Sequence, residues 1–144
     1  MKCFTFIDKN EEEKVIIYSK ERTSLVEQIE KLVSSSGVSL TGTYEDSSIL
    51  INPIDVSCFV VEGGKIYALI NEKKYQLKER LYQLEDMSFN EYFVKLNQSC
   101  LANIKQIKEF KASIGGAVMV VFQNGYKDYI SRRELKNVKE RIGL

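Results

Sequence analysis

Arg132 and Arg133 stand side by side near the end of the chain, within the segment S-R-R-E-L. Ser131 and Glu134 have the spacing of a capping box, which predicts that a helix begins here with both arginines in its first turn. Cations are unfavourable beside the positive end of a helix dipole, so forked guanidinium groups at this place suggest phosphate oxygens or a guanine edge as partners. The alternative is a pair of surface arginines bonded to Glu134 or Asp128.

A second polar cluster occupies residues 93–103, where the sequence reads F-V-K-L-N-Q-S-C-L-A-N. Between apolar anchors lie five polar side chains: Lys95, Asn97, Gln98, Ser99 and Asn103. Side-chain amides suit adenine, because they present a donor and an acceptor side by side. Asn, Gln and Ser are also favoured in ordinary turns, so the pattern alone leaves both interpretations open.

Histidine is absent from the 144 residues, and this removes the commonest general base near neutral pH and the commonest zinc ligand. The sequence also lacks a paired-group motif for catalysis by carboxylates, Lys, Tyr or Cys. An acidic run formed by Asp8 and residues 11–13 is most simply a solvated loop, with metal binding as the alternative. We therefore expect no enzymatic activity, no cofactor, no metal centre and no small-molecule substrate.

Charge is unevenly distributed in a chain with 21 Lys+Arg and 20 Asp+Glu. Residues 95–144 hold ten basic and four acidic side chains, whereas residues 1–45 and 46–94 are both net acidic. A basic block attached to an acidic body suggests a polyanionic partner. The alternative is a solvated face of mixed strands and one helix.

The N-terminal part is predicted to be a β-β-α-β appendage over residues 1–47. Apolar segments on either side of a polar turn predict strands at 2–7 and 14–19, and two further short strands at 38–44 and 47–52. Between them, apolar residues at a period near 3.6 predict a helix that begins at Ser24 and ends before Gly37. The only proline, Pro53, marks the seam with the main domain, which we assign to residues 48–144.

The main domain is predicted to be β-rich, in the α+β class. A meander is expected over residues 54–77, followed by helical segments at 77–87 and 89–93. Asn-Gly at 124–125 predicts a hairpin with a type I′ turn between strands at 117–122 and 126–130. Apolar residues Leu135, Val138 and Ile142 predict an amphipathic terminal helix.

Cysteine spacing and hydropathy indicate the compartment. Cys3, Cys58 and Cys100 lie far apart without a C-x-x-C pair, which favours a reducing cytoplasm over a disulfide framework. Cys58 and Cys100 are expected to be small buried hydrophobes rather than redox groups. There is neither an apolar run of about 18 residues for a membrane span nor the apolar stretch of a secretory signal. We therefore expect a cytoplasmic protein without membrane contact.

The order of these motifs resembles the LytTR family of bacterial DNA-binding domains. The resemblance covers about residues 48–142 and rests on the strand order, the segment at 93–103 and the motif N-G-x-x-x-x-I-S-R-R at 124–133. It implies small antiparallel sheets with short helices, and loops rather than a recognition helix in successive major grooves. It further implies a sequence-specific transcriptional regulator that binds double-stranded DNA at repeated sites.

The resemblance also transfers site positions. The family segment F-x-R-x-H-R-S falls on residues 93–99. Lys95 therefore replaces Arg, Asn97 replaces His, and Gln98 replaces Arg or Asn. The arginine that enters the groove at the start of the last helix corresponds to Arg133. A third contact loop is shortened here to residues 62–65. The predicted DNA-binding residues are Arg133, Gln98, Asn97, Lys95, Arg132, Lys65, Ser99 and Asn103.

The region before the DNA-binding domain is short. Many family members carry a receiver domain there, and residues 1–45 are too few for one. The chain therefore resembles the receiver-less subgroup, and we expect the appendage to mediate homodimerisation, unless its helix covers its own sheet. Because residues 95, 97 and 98 depart from the family pattern, the alternative function is a protein–protein adaptor that docks an acidic partner and has lost DNA binding.

Overall fold

The structure is a computed structural model that describes residues 1–35 and 40–143. The chain divides into two compact units, residues 1–33 and 34–144, which are described separately below. In the described ranges there is no helix with the length and apolar character that crossing a membrane requires.

The first unit contains most of one helix, α1 (Ser24–Ser35). Thr23 caps it in place of the expected Ser24, because Thr23 Oγ1 accepts a hydrogen bond from Val26 N at 3.3 Å. Residues 1–22 form no strand, so the predicted strands at 2–7 and 14–19 are wrong. Their apolar side chains are largely exposed, and a β-compatible sequence forms no strand unless its backbone finds a partner. The predicted helix end at Gly37 and residues 38–39 of the next strand lie outside the described residues.

The second unit is built on a large antiparallel sheet. Its strands are β1 (Leu40–Tyr44), β2 (Ser47–Ile51), β3 (Cys58–Glu62), β4 (Lys65–Ile70), β5 (Lys73–Leu77), β6 (Phe93–Asn97) and β7 (Cys100–Asn103). Their order in the sheet is β2-β1-β5-β4-β3-β7-β6. Strand β1, which we expected in the appendage, pairs with β5 through Thr43 and Gln76. The domain boundary between residues 47 and 48 stays a prediction.

A smaller sheet and short helices complete the unit. The smaller sheet has the order β10-β9-β8, formed by β8 (Ile107–Ala112), β9 (Val118–Phe122) and β10 (Lys127–Ile130). The helices are α2 (Leu81–Glu85), α3 (Leu135–Ile142) and 3-10 segments at Pro53–Asp55, Ser88–Tyr92 and Ile104–Gln106. The predicted meander, hairpin and terminal helix are confirmed. The predicted helix at 77–87 is shorter, because β5 extends to Leu77.

Both faces of the large sheet are covered, because successive side chains of a strand point to opposite sides. On one face, Phe59 belongs to a core with residues of α2 and of the 3-10 segment that follows it, including Leu84 and Phe89. On the other face, Val60 belongs to a core with Phe122 of the smaller sheet and Val138 of α3. The fully buried Val138 confirms the predicted inward face of the terminal helix. The smaller sheet and α3 are thereby fixed against one side of the large sheet.

The β9–β10 hairpin turn differs from the predicted type. Gly125 has a φ of +88°, whereas Asn124 has no positive φ. A type I′ turn requires positive φ at both central residues, so that prediction is wrong. Asn124 Oδ1 instead accepts a hydrogen bond from Tyr126 N at 3.0 Å. Backbone bonds from Gly125 N to Phe122 O and from Phe122 N to Tyr126 O, both 2.9 Å long, close the turn, and only the glycine takes the left-handed conformation.

Candidate nucleic-acid interface

Strand register places two turns of the large sheet at the same end of the second unit. Val60 pairs with Cys100, and Val61 N donates a hydrogen bond to Ser99 O at 2.9 Å. The β3–β4 turn at residues 63–64 and the β6–β7 turn at residues 98–99 therefore leave the sheet side by side.

A third turn, residues 131–134 between β10 and α3, is attached at the same place. Ser131 N donates a hydrogen bond to Leu96 O at 2.8 Å. Asn97 Nδ2 donates to Asp128 Oδ1 at 2.9 Å and to Tyr129 O at 2.8 Å. These bonds join the end of β10 to the end of β6. We call the three turns at 63–64, 98–99 and 131–134, together with the first residue of β4, the loop end.

Arg132 and Arg133 are the most basic feature of the loop end. Both are exposed, and neither forms an ion pair or a side-chain hydrogen bond with any residue that the structure describes. The expected alternative partners, Glu134 and Asp128, do not bind them. Helix α3 begins at Leu135, so the arginines lie in the turn before the helix rather than in its first turn. Two guanidinium groups are thus free to bind an anion or a base edge.

The 131–134 turn is closed by Ser131. Its carbonyl oxygen accepts hydrogen bonds from Glu134 N and Leu135 N, both at 3.1 Å. Its hydroxyl oxygen also accepts a long hydrogen bond from Glu134 N, at 3.4 Å. The N-cap of α3 is Glu134, without a side-chain cap bond, so the capping box predicted for Ser131 is wrong. The backbone that carries the two arginines is therefore held at both ends.

Three other predicted residues share the loop end. Gln98 and Ser99 are exposed at the β6–β7 turn, and within the described residues the side chain of Gln98 has no hydrogen-bond partner. Lys65 is exposed at the start of β4. The nearby acidic residue Glu62 is occupied by an ion pair with Lys74 at 2.8 Å. The side chains of Lys65, Gln98 and Ser99 are therefore available together with the arginines.

Asn97 uses its side chain within the protein. In addition to its two donor bonds to Asp128 and Tyr129, its Oδ1 accepts a hydrogen bond from Ser99 N at 2.8 Å. An amide can make about four hydrogen bonds, so most of this capacity is used internally. Asn97 therefore shapes the 98–99 turn and ties it to β10. No local pattern predicts Asp128 as its partner, because the two residues are 31 positions apart.

Two predicted residues lie away from the loop end. Asn103 is fully buried, and its Nδ2 donates to Val56 O at 2.9 Å and Ile54 O at 3.2 Å. This burial contradicts the prediction that Asn103 contacts DNA. Lys95 lies on β6, where its Nζ is 3.6 Å from Glu85 Oε1 of α2. The Lys95 ammonium is therefore directed towards the α2 face.

Tyr126 and Cys100 both have a raised pKa. Tyr126 Oη donates to Asp128 Oδ2 at 3.3 Å, and burial together with the Asp128 carboxylate raises the pKa of Tyr126 above its ordinary value. A hydrogen bond with Cys58 and burial raise the pKa of the Cys100 thiol. Both cysteines are buried free thiols, which confirms the prediction of small hydrophobes. In the ranges that the structure describes, no three His, Cys, Asp or Glu residues are grouped as metal ligands.

The charge distribution agrees with this geometry. Residues 95–144, which form β7 to β10, α3 and most of the loop end, hold ten basic and four acidic side chains. Two of those four acids, Asp128 and Glu109, are engaged with partners on the protein. The loop end therefore presents uncompensated positive charge, which attracts a polyanion at long range.

Known DNA-binding domains and transcriptional regulators are similar to this chain in sequence or in fold. The family model of the LytTr DNA-binding domain matches residues 46–143. The chain is 30% identical to uncharacterized HTH-type transcriptional regulators of Staphylococcus aureus strains NCTC 8325 / PS 47 and COL, over 100% of this chain and 99% of each relative. A solved LytTr DNA-binding domain from Bacillus cereus has a TM-score of 0.70 with 17% sequence identity, covering 76% of this chain and 100% of that one.

The fold likeness concerns the β-rich architecture. In residues 40–143, strands separate α2 from α3, so these two helices do not form a helix-turn-helix. Arg132 and Arg133 are carried by the turn before α3, and Lys65 is the first residue of β4. The resemblance inferred from the motifs is confirmed: the chain belongs to the LytTR family of DNA-binding domains.

Proposed function

We propose that the protein is a sequence-specific transcriptional regulator that reads the major grooves of double-stranded DNA with side chains of the loop end. The observation that carries this proposal is the group of unpaired side chains on adjoining turns, Arg132, Arg133 and Gln98. Leaving guanidinium and amide groups without partners contributes nothing to folding. It is useful when phosphates and base edges supply those partners on binding. The proposed chemistry is recognition without catalysis, in the cytoplasm, where the bacterial chromosome lies.

The side chains divide into two roles. Arg133 is proposed to bind the O6 and N7 acceptors of a guanine, and Gln98 to bind adenine through its amide. Arg132, Lys65 and Ser99 are proposed to hold phosphates, which set register and much of the affinity without sequence preference. Asn97 remains in the proposal as a residue that positions Gln98 and the 131–134 turn.

Lys95 is proposed to contribute through charge. Its ion pair with Glu85 is partly exposed and long, at 3.6 Å. Such a pair contributes about 1 kcal/mol or less, so a phosphate can compete for the ammonium. A phosphate contact here would extend the basic surface from the loop end along β6.

Selection of bound sequences from a random duplex pool tests the function. We expect enrichment of a defined motif that occurs as a repeat. The double variant Arg132→Ala/Arg133→Ala, selected in parallel, is expected to lose the enrichment, because both substitutions are on an exposed turn and remove no internal contact. Equal enrichment by the variant would contradict the role of the arginines. No enrichment by the native protein would favour the adaptor alternative, in which the basic surface docks an acidic protein.

We also propose that the protein binds its repeated sites as a homodimer joined through residues 1–33. Large apolar side chains of this unit are exposed, among them Phe6 (90%), Ile7 (93%) and Tyr18 (93%). Burial of such groups against a second copy is favourable by about 1.5–3 kcal/mol each. Light scattering is expected to give the mass of a dimer, and Phe6→Ser/Ile7→Ser to shift it towards a monomer. A monomer at high concentration of the native protein would contradict the proposal.

A further inference from the structure

An isolated aliphatic side chain stands fully in solvent at the turn between β8 and β9. Ile114 has a relative exposure of 103%, the highest among the large apolar residues of the described part of the chain. It contacts no core, and its exposure therefore gives no stability to the folded protein.

Strand register places this turn next to the loop end. In the smaller sheet, Val118 of β9 is paired with Ala112 of β8 on one side and with Ile130 of β10 on the other. The 113–117 turn and the 131–134 turn therefore leave this sheet at the same end. Two strand spacings separate β8 from β10, a distance of about 10 Å.

The turn holds Ile114 in a defined position. Ser113 N donates to Ala117 O at 2.8 Å, and the Ser113 hydroxyl donates to the same oxygen at 3.1 Å. Gly115 and Gly116 have φ values of +85° and +81°, which glycine adopts without strain. A closed turn with two glycines presents the isoleucine at its tip, with space around it for a ligand.

We propose that Ile114 contacts the C5 methyl group of a thymine in the major groove that Arg133 enters. This inference rests on the proposed function and adds an apolar contact to it. The major groove is about 12 Å wide, comparable with the separation of β8 and β10, so one groove can receive both turns. Thymine is the only base with a methyl group there, so an aliphatic tip selects it by contact rather than by hydrogen bonding.

The first measurement compares the affinity of three proteins for the selected operator. Ile114→Ser is expected to weaken binding about fourfold. This factor corresponds to the loss of the favourable burial of about one methyl group on binding. Leu50→Ser is the matched control, because Leu50 is also exposed, at 78%, but lies on β2 at the far edge of the large sheet. Leu50→Ser is expected to leave the affinity unchanged. Equal affinities of Ile114→Ser and the native protein would overturn the inference.

The second measurement identifies the methyl group. Thymines of the operator are replaced one at a time by deoxyuridine, which lacks only the C5 methyl. We expect one position where the replacement weakens the native protein about fourfold and leaves Ile114→Ala unaffected. If every thymine replacement weakened the native protein and Ile114→Ala by the same factor, the inference would be overturned. The enriched operator would in that case still support the proposed function. If no operator is enriched, the proposed function and this inference both fail.

Discussion

The two ends of the second unit use the same kinds of polar residue in opposite ways. At the loop end, Gln98 and two arginines have no side-chain partners among the described residues. At the opposite end, which we call the far end, the β4–β5 and β9–β10 turns are bonded to each other through Asn124 Nδ2 and Asn71 O at 2.7 Å. Gln123 N likewise donates to Gln106 O at 2.9 Å. The side-chain amide of Asn124 therefore joins two turns at the far end, whereas the side-chain amide of Gln98 at the loop end stays available.

This difference shows that the residue type does not decide the role of an amide. Asn103 and Gln98 belong to the same short segment. Asn103 is buried and its amide makes three hydrogen bonds, whereas Gln98 is exposed. The two amides differ because the fold brings backbone carbonyl groups, such as Val56 O, within hydrogen-bond distance of Asn103. The comparison can therefore be tested by removing amides and cations from each end separately.

The largest effect is expected from Asn103→Ala. The substitution removes two donor bonds to backbone carbonyls and one acceptor bond from Lys105 N at 3.0 Å, all at a buried position. We expect the free energy of unfolding to fall by about 3 kcal/mol, because buried polar groups are left unpaired. Urea denaturation measures the change, with Gln98→Ala as the control that leaves stability unaltered. A loss below about 0.5 kcal/mol would mean that the amide is not structural.

Arg133→Ala is expected to give the next largest effect, on binding instead of stability. Loss of a bidentate contact to guanine costs about 1–3 kcal/mol of specific affinity and relaxes the preference at one base pair. Fluorescence anisotropy with the selected operator measures it. Lys127→Ala is the matched control, since Lys127 is exposed at the start of β10, near the far end. If both variants bound equally well, Arg133 would not be a base-reading residue.

Asn97→Ala is expected to have a smaller effect on both properties. Its hydrogen bonds to Asp128, Tyr129 and Ser99 are partly exposed, so we expect a loss of about 1 kcal/mol in stability. Affinity should fall for all sequences alike, because the turns move while the reading side chains remain. Pool selection with the variant separates the roles: an altered motif would show that Asn97 itself reads a base.

The smallest effect is expected from Lys95→Ala. Its single ion pair with Glu85 is partly exposed, and we expect stability to change by less than about 1 kcal/mol. If the ammonium meets a phosphate, affinity for every sequence falls and the slope of log affinity against log salt decreases by about one unit. A salt titration of both proteins measures this. An unchanged slope would show that Lys95 contacts no phosphate and only pairs with Glu85 of α2.

Periodicity predicted the elements that bury an apolar face. The meander and α3 were found because their apolar residues meet a core, as Val138 does. The predicted strands at 2–7 and 14–19 are also rich in apolar residues, but neither forms a strand in the described structure. Sequence pattern reports which side chains suit a strand, and pairing depends on the rest of the fold.

The candidate site was predicted in part for a similar reason. Local motifs located the turns at 98–99 and 131–134, because turn and capping signals depend on neighbouring residues. The internal partners of Asn97 and Asn103 lie 31 and 47 positions away, and no local pattern predicts them. By contrast, the bond from Tyr126 N to Asn124 Oδ1, 3.0 Å long, joins residues two positions apart, and such Asx turns are a local property of asparagine.

If the proposed function is correct, the bond from Ser131 N to Leu96 O, 2.8 Å long, limits how the DNA sites can differ among relatives. It joins main-chain atoms, so substitution of the side chain at 98 or 133 leaves the distance between the 98–99 and 131–134 turns unchanged. New side chains at 98 or 133 would therefore alter which bases are preferred, while the number of base pairs between those bases would stay the same.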